Sequence, residues 1–123
     1  MDVYNPDNAP SPSEWLALSE FDRIDMIEDF HRDAGDFGGS LRAHAAIHVA
    51  IENQVALGEP GEVAAAISRL MGAGLDRHDA VHAVGSVLTE HLYPVLKADV
   101  PFDNASYRCA LGSLTPESWR SGG

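Results

Sequence analysis

Two stretches decide the fold: residues 41–57, "LRAHAAIHVAIENQVAL", and residues 77–93, "RHDAVHAVGSVLTEHLY". Successive residues of an α-helix turn by about 100°, so Ile47, His48, Ile51 and Val55 all fall within about 60° of His44. The same count from His78 gathers Val81, His82, Gly85 and Leu92, with Leu88 about 80° away. Both segments are therefore amphipathic helices whose apolar stripe carries two histidines four residues apart. Ser40 precedes the first and Asp76 the second, each a residue type that caps a helix N-terminus with its side-chain oxygen. Gly58 and Pro60 end the first. Pro94 has no N–H for the helical ladder and is expected to kink or finish the second.

Working outward, residues 1–10 are polar and proline-containing and read as an extended arm. "SPSEWLAL" starts a helix, with Ser11 as N-cap, Pro12 at the first helical position and Glu14 completing a capping box. Ser19 opens another, in which Phe21, Ile24, Ile27 and Phe30 recur at helical spacing until Gly35. Trp15 and Phe21 are expected in the core. "GDFGGS", residues 35–40, is a loop. Pro60 opens a shorter helix with Val63, Ile67, Leu70 and Met71 on one side. After residue 98 a short helix follows Asp103, and a turn is opened by Thr115 and Pro116. No segment alternates apolar and polar residues with period two, so no sheet is expected. The expected architecture is all-α: a small helical bundle over residues 11–98 with a central antiparallel helix pair, and a tail of short helical turns, 99–123, packed on the same domain.

Composition narrows the function classes. In 123 residues, eight Lys and Arg against nineteen Asp and Glu leave a net charge of −11, with no basic cluster. Such a surface repels a phosphate backbone, so nucleic acid is not an expected partner. No apolar run approaches the length of a membrane span, and "MDVYNPDNAP" has neither the basic nor the hydrophobic region of a secretion signal. With a single cysteine, Cys109, an intramolecular disulfide and a cysteine-rich zinc site are both ruled out, and the expected compartment is the cytoplasm. Apolar residues left over on the helices, Val84 and Leu88 among them, lead to the expectation of a homodimer.

The four histidines of the central pair are the chemistry. A buried neutral imidazole has one donor and one acceptor to satisfy, and four on inward faces are a heavy polar load for a small core. Hydrogen bonds to backbone, carboxylates and water could meet it piecemeal. A metal ion meets it at once, because four-residue spacing puts both nitrogens of a pair on one side of a helix. The expected ligands are His44, His48, His78 and His82, with Glu52, one turn beyond His48, as a fifth ligand or as the acceptor for a ligand's other N–H. Imidazole and carboxylate without thiolate suit a transition metal, zinc first, then iron, nickel or manganese, in a mononuclear or dinuclear site.

Several neighbours read otherwise. Glu28 and His31 form one E-x-x-H pair, but di-iron bundles use two. "HDAVH" resembles the H-E-x-x-H metallopeptidase pattern with Asp79 for Glu, yet Asp79 also belongs to the first helical turn, where a carboxylate is favoured on structural grounds. Arg42 and Arg77 are read as surface salt-bridge partners or as binders of a substrate anion. His91 lies off the His78 face and is expected toward solvent.

The run His44-x-x-x-His48-x-x-x-Glu52, Gln54, the "RL" at 69–70 and the second paired-histidine helix resemble a group of small bacterial proteins known as a domain of unknown function, the 1841 group. The resemblance covers residues 41 to about 92. It implies a bacterial, cytoplasmic, helical protein and supplies no catalytic role. Three functions remain: a metal-dependent enzyme, most plausibly a hydrolase; a non-catalytic interaction module with a structural metal; and a metal-free domain with hydrogen-bonded histidines. Its small-molecule or protein partner is not legible.

Overall fold

The computed structural model describes residues 3–34 and 41–122, which form seven helices with no strand among the described residues. The fold is an all-α bundle. Helix α1 spans Pro12–Ala17, α2 Glu20–Ala34, α3 Leu41–Leu57, α4 Gly61–Gly72, α5 Arg77–Ala98, α6 Asn104–Ser113 and α7 Pro116–Gly122. None is long and apolar enough to cross a membrane.

Local chemistry sets most boundaries. Ser19 Oγ accepts from Asp22 N–H at 3.1 Å to start α2, and Asp76 accepts from Asp79 N–H at 2.8 Å to start α5. Helix α3 ends on Gly58 at φ +72°, which lets Glu59 N–H reach back to the Gln54 carbonyl at 3.2 Å, the six-to-one bond of a Schellman stop. Gly74, at φ +110°, does the same for α4, where Leu75 N–H donates to the Leu70 carbonyl at 3.1 Å. The α6 and α7 starts follow Asp103 and Thr115, both of which accept from backbone N–H groups three residues on. The expected Gly35 stop, the loop 35–40 and the Ser40 cap lie outside the described residues.

Three local expectations are corrected. Ser11 precedes α1, but its hydroxyl makes no cap and faces Ser13 Oγ instead. Phe21 is exposed while Trp15 is fully buried, because Arg23 fastens α1 from the solvent side: its guanidinium donates to the carbonyls of Trp15 and Leu16 and to Asn53 Oδ1, which also accepts from Trp15 Nε1. Helix α5 runs through Pro94 to Ala98. Glu90 and Pro94 both lie on exposed surface, so the carbonyl deprived of its partner can turn to water, and Asp99 at φ 53° ends the helix.

Helix α3 is the hub, packing on α1, α2, α4 and α5. It runs antiparallel to α5: Glu52 meets Arg77, His48 sits between His78 and His82, and His44 meets His82. Ile51 joins a core shared with α4, α5 and α6, whereas Ala45 and Val49 join a second core of Tyr4, Trp15 and Ile27. Tyr107 and Leu111 bring α6 into the first core, and Tyr107 donates to Gln54 at 2.9 Å. Val84 and Leu88, the residues on which a self-complementary face was expected, are buried in that core; the large apolar side chains that α5 exposes include Tyr93 and Leu96.

Candidate metal centre

Five imidazoles meet where α2, α3 and α5 come together. Helix α2 gives His31, α3 gives His44 and His48 one turn apart, and α5 gives His78 and His82 one turn apart. Ring centroids are 4.5 Å apart for His31 and His48, 4.7 Å for His48 and His82, and 4.3 Å for His78 and His82. One nitrogen from each of His31, His48, His78 and His82 lies within 4.8 Å of the others. His44 stands at the edge of this set, its Nε2 3.2 Å from that of His82.

Four nitrogens of the cluster have no hydrogen-bond partner among the described residues. His31 Nδ1 lies 2.9 Å from the Ile27 carbonyl, which can only accept, so Nδ1 carries the proton and Nε2 keeps its lone pair. That Nε2, both nitrogens of His48 and Nε2 of His78 are buried without a hydrogen bond. A buried polar group left unpaired costs about 1–3 kcal/mol. Burial, reinforced by the neighbouring imidazoles, depresses the basicity of the cluster: His48 lies far below the ordinary histidine range, His82 falls to about 4, and His31 and His44 are lowered too. At neutral pH these four rings are neutral, with lone pairs free to bind a cation. A backbone carbonyl holding the remote N–H of His31 is also how a ligand imidazole is commonly oriented.

Glu52 is placed differently from the sequence expectation. It is buried, but Arg77 takes both its oxygens at 2.8 Å each and the Tyr4 hydroxyl donates to Oε2 at 2.6 Å. The planar guanidinium matches the carboxylate fork, and no histidine hydrogen-bonds to it among the described residues. Arg77 is likewise no surface residue: it is 5% exposed and also donates to the Pro6 carbonyl, so the arm over residues 4–7 straps this end of the bundle. Glu28 of the E-x-x-H pair is taken by Arg42 at 2.6 and 2.8 Å, which leaves the cluster without that carboxylate. His91 is half-buried beside Tyr107 rather than in solvent; its Nδ1 donates to the Val87 carbonyl at 2.8 Å.

His31 is the residue that the sequence reading passed over. Its signal was the E-x-x-H spacing, discounted for want of a second copy, and only the crossing of α2 over α3 brings it to the other three. Beside the cluster, a groove of about 220 Å³ opens between α3 and α5, with His44, His48 and His82 at its inner end.

The chain matches, over residues 15–112, the model of a family described as a domain of unknown function, DUF1841. The match extends past the central helices at both ends, taking in the second half of α1, all of α2 and most of α6, and contains all five clustered histidines with Glu52 and Arg77. No curated protein matches the chain, and no solved structure does. With the match running through nearly the whole bundle, the chain belongs to the DUF1841 family.

Proposed function

We propose that this protein binds one transition-metal ion, zinc most readily, through His31, His48, His78 and His82. The observation that supports the reading is the convergence of four imidazoles from three helices, with nitrogens of His31, His48 and His78 buried and without a hydrogen-bond partner among the described residues. A cluster built only to pack would place apolar side chains there at less cost. Four neutral nitrogen donors without thiolate or carboxylate match the borderline character of zinc and serve iron or nickel less selectively; manganese, which favours oxygen ligands, fits least. Zinc–nitrogen bonds of about 2.0–2.1 Å in a tetrahedron put neighbouring donors about 3.3 Å apart. His44 and His82 already show such a spacing at 3.2 Å. Zinc can expand from four ligands to five, so an ion held by the four imidazoles can take one further donor from the groove that His48 and His82 line. A fifth position of that kind favours the hydrolase reading over a purely structural ion, with His44, which is outside the four ligands, as a neutral imidazole base in the groove.

The test is elemental analysis of protein purified without a histidine tag or chelator. About one equivalent of metal is expected. His48→Ala removes it and His91→Ala leaves it unchanged. Metal content that stays far below one equivalent after reconstitution with zinc, iron, nickel and manganese refutes the proposal.

A further inference from the structure

We propose that the groove between α3 and α5 binds a small, uncharged, largely apolar molecule that presents one oxygen or nitrogen donor to the metal. This inference rests on the metal-binding reading above.

The chemistry of the lining points to that class. The inner end carries His48, which is 2% exposed and has two unpartnered nitrogens, flanked by His44 and His82. The walls are apolar, with Ile47 from α3 and Val81 from α5. Among the described residues no Lys, Arg, Asp or Glu lines the groove, so a charged ligand would lose its hydration with no counter-charge beyond the ion itself. The hydroxyls at the outer end do not change this. Ser86 Oγ donates to the Ala83 carbonyl at 2.7 Å and Thr89 Oγ1 to the Gly85 carbonyl at 2.9 Å, so both hydrogens are committed and an anion finds no donor there. The overall charge of −11 also disfavours anions.

Size is limited by the close approach of the two helices. A Cβ on Gly85 would stand 3.0 Å from Ile47 Cγ2, so glycine is what allows α3 and α5 to come this near while the groove stays open. A dry cavity of about 150 Å³ holds benzene, so about 220 Å³ suits roughly nine non-hydrogen atoms. A short-chain or monocyclic amide, ester or alcohol has these properties, and a nucleotide or a peptide of several residues does not.

N-alkylimidazoles are uncharged at pH 8, present one nitrogen donor to a metal and have tails that can be varied. The protein is loaded with cobalt(II), and its visible spectrum is followed at pH 8 during titration with 1-methylimidazole, with 1-butylimidazole, and with an N-alkylimidazole of similar length ending in a carboxylate. Burying one methylene tightens binding about fourfold. 1-Butylimidazole, three methylenes longer, is expected to bind at least tenfold more tightly than 1-methylimidazole, and the carboxylate-ended probe no more tightly than 1-methylimidazole. Thr89→Trp, at an exposed position lining the groove, should erase the advantage of the long tail while the cobalt content and the 1-methylimidazole response persist. Equal affinity for all three probes, or an advantage that survives T89W, overturns the groove. Cobalt that binds stoichiometrically but shows no spectral response to any probe overturns it too and leaves the metal site standing. Failure to bind cobalt at all removes the metal reading and this inference together.

Discussion

Replacing Glu52 by Gln should cost more than any other single change of one functional group in this protein. Its side chain is fully buried and that of Arg77 is 5% exposed, so neither charge has water as an alternative partner. Glutamine keeps the shape but removes the negative charge, and its NH₂ points a donor at a guanidinium that has only donors. Arginine cannot shed its proton to escape. Breaking a buried pair by removing one partner costs about 3–5 kcal/mol. Against a typical total of about 5–15 kcal/mol, that is a large share of the stability. At roughly 4 °C per kcal/mol for a domain of this size, Tm should fall by about 12–20 °C. Thermal and urea unfolding in the presence of chelator, which keeps metal linkage out of the comparison, would measure it. Arg77→Met should also destabilise, because it strands the Glu52 carboxyl with the Tyr4 hydroxyl as its remaining hydrogen-bond partner among the described residues. The double variant E52L/R77M should recover most of the loss, as apolar replacements of buried pairs commonly do. An E52Q cost below about 1 kcal/mol would refute the reasoning, since it would mean that the pair is screened like a surface bridge. Metal content of the folded double variant adds a separate check: the proposed ligand set omits Glu52, so it should remain at about one equivalent.

The unpartnered imidazole at the centre leads to a second expectation: His48→Leu should make the metal-free protein more stable, by about 1–3 kcal/mol, while abolishing metal uptake, and a metal-free H48L less stable than the parent in urea would count against it. The metal-free protein should also lose stability in acid. The folded pKa values of His48, His82, His31 and His44 lie below the unfolded value near 6.5, so their contribution is whole above about pH 6.5 and declines as pH falls toward the His82 value of about 4; denaturant midpoints unchanged from pH 7.5 to 4.5 would contradict this. Gly58→Ala, at φ +72° with open space around its Cβ, should cost about 1–2 kcal/mol from backbone strain alone, read as a shift in the urea midpoint without a change in slope.

What could be read from the sequence was what short-range physics controls. The helical period of 41–57 and 77–93 placed both histidine pairs inward, and Ser19, Gly58 and Asp76 marked ends that the structure keeps. Of the two outcomes expected at Pro94, the helix stop does not occur, because the carbonyl that loses its partner lies where the end of α5 is in solvent. Ser11 misled because a capping residue type does not guarantee a capping rotamer. The differences between spacing and structure at the site share a cause. Glu52 follows His48 by one helical turn, so spacing alone assigns it to the same ligand set. Its real partner is 25 residues away on α5, and the contact is completed by Tyr4 and Pro6 from the arm. His31 is set aside in sequence because its E-x-x-H motif has no second copy, whereas its place in the cluster depends on how α2 packs on α3, which no periodicity encodes.

The strap over Arg77 also has a consequence for the order in which this protein can be made. Tyr4 and Glu52 leave the ribosome well before Arg77, whose guanidinium both Glu52 and the Pro6 carbonyl need. A nascent chain that has produced α1 to α4 would have to bury a carboxylate without its counter-charge in order to close, and that cost holds the early helices open. Only when the first turn of α5 arrives does closing the arm, the acid and the base together become favourable. Synthesis thus leads to a single late folding step rather than to an N-terminal half that settles first, and the imidazoles of α2 and α3 meet those of α5 in that same step.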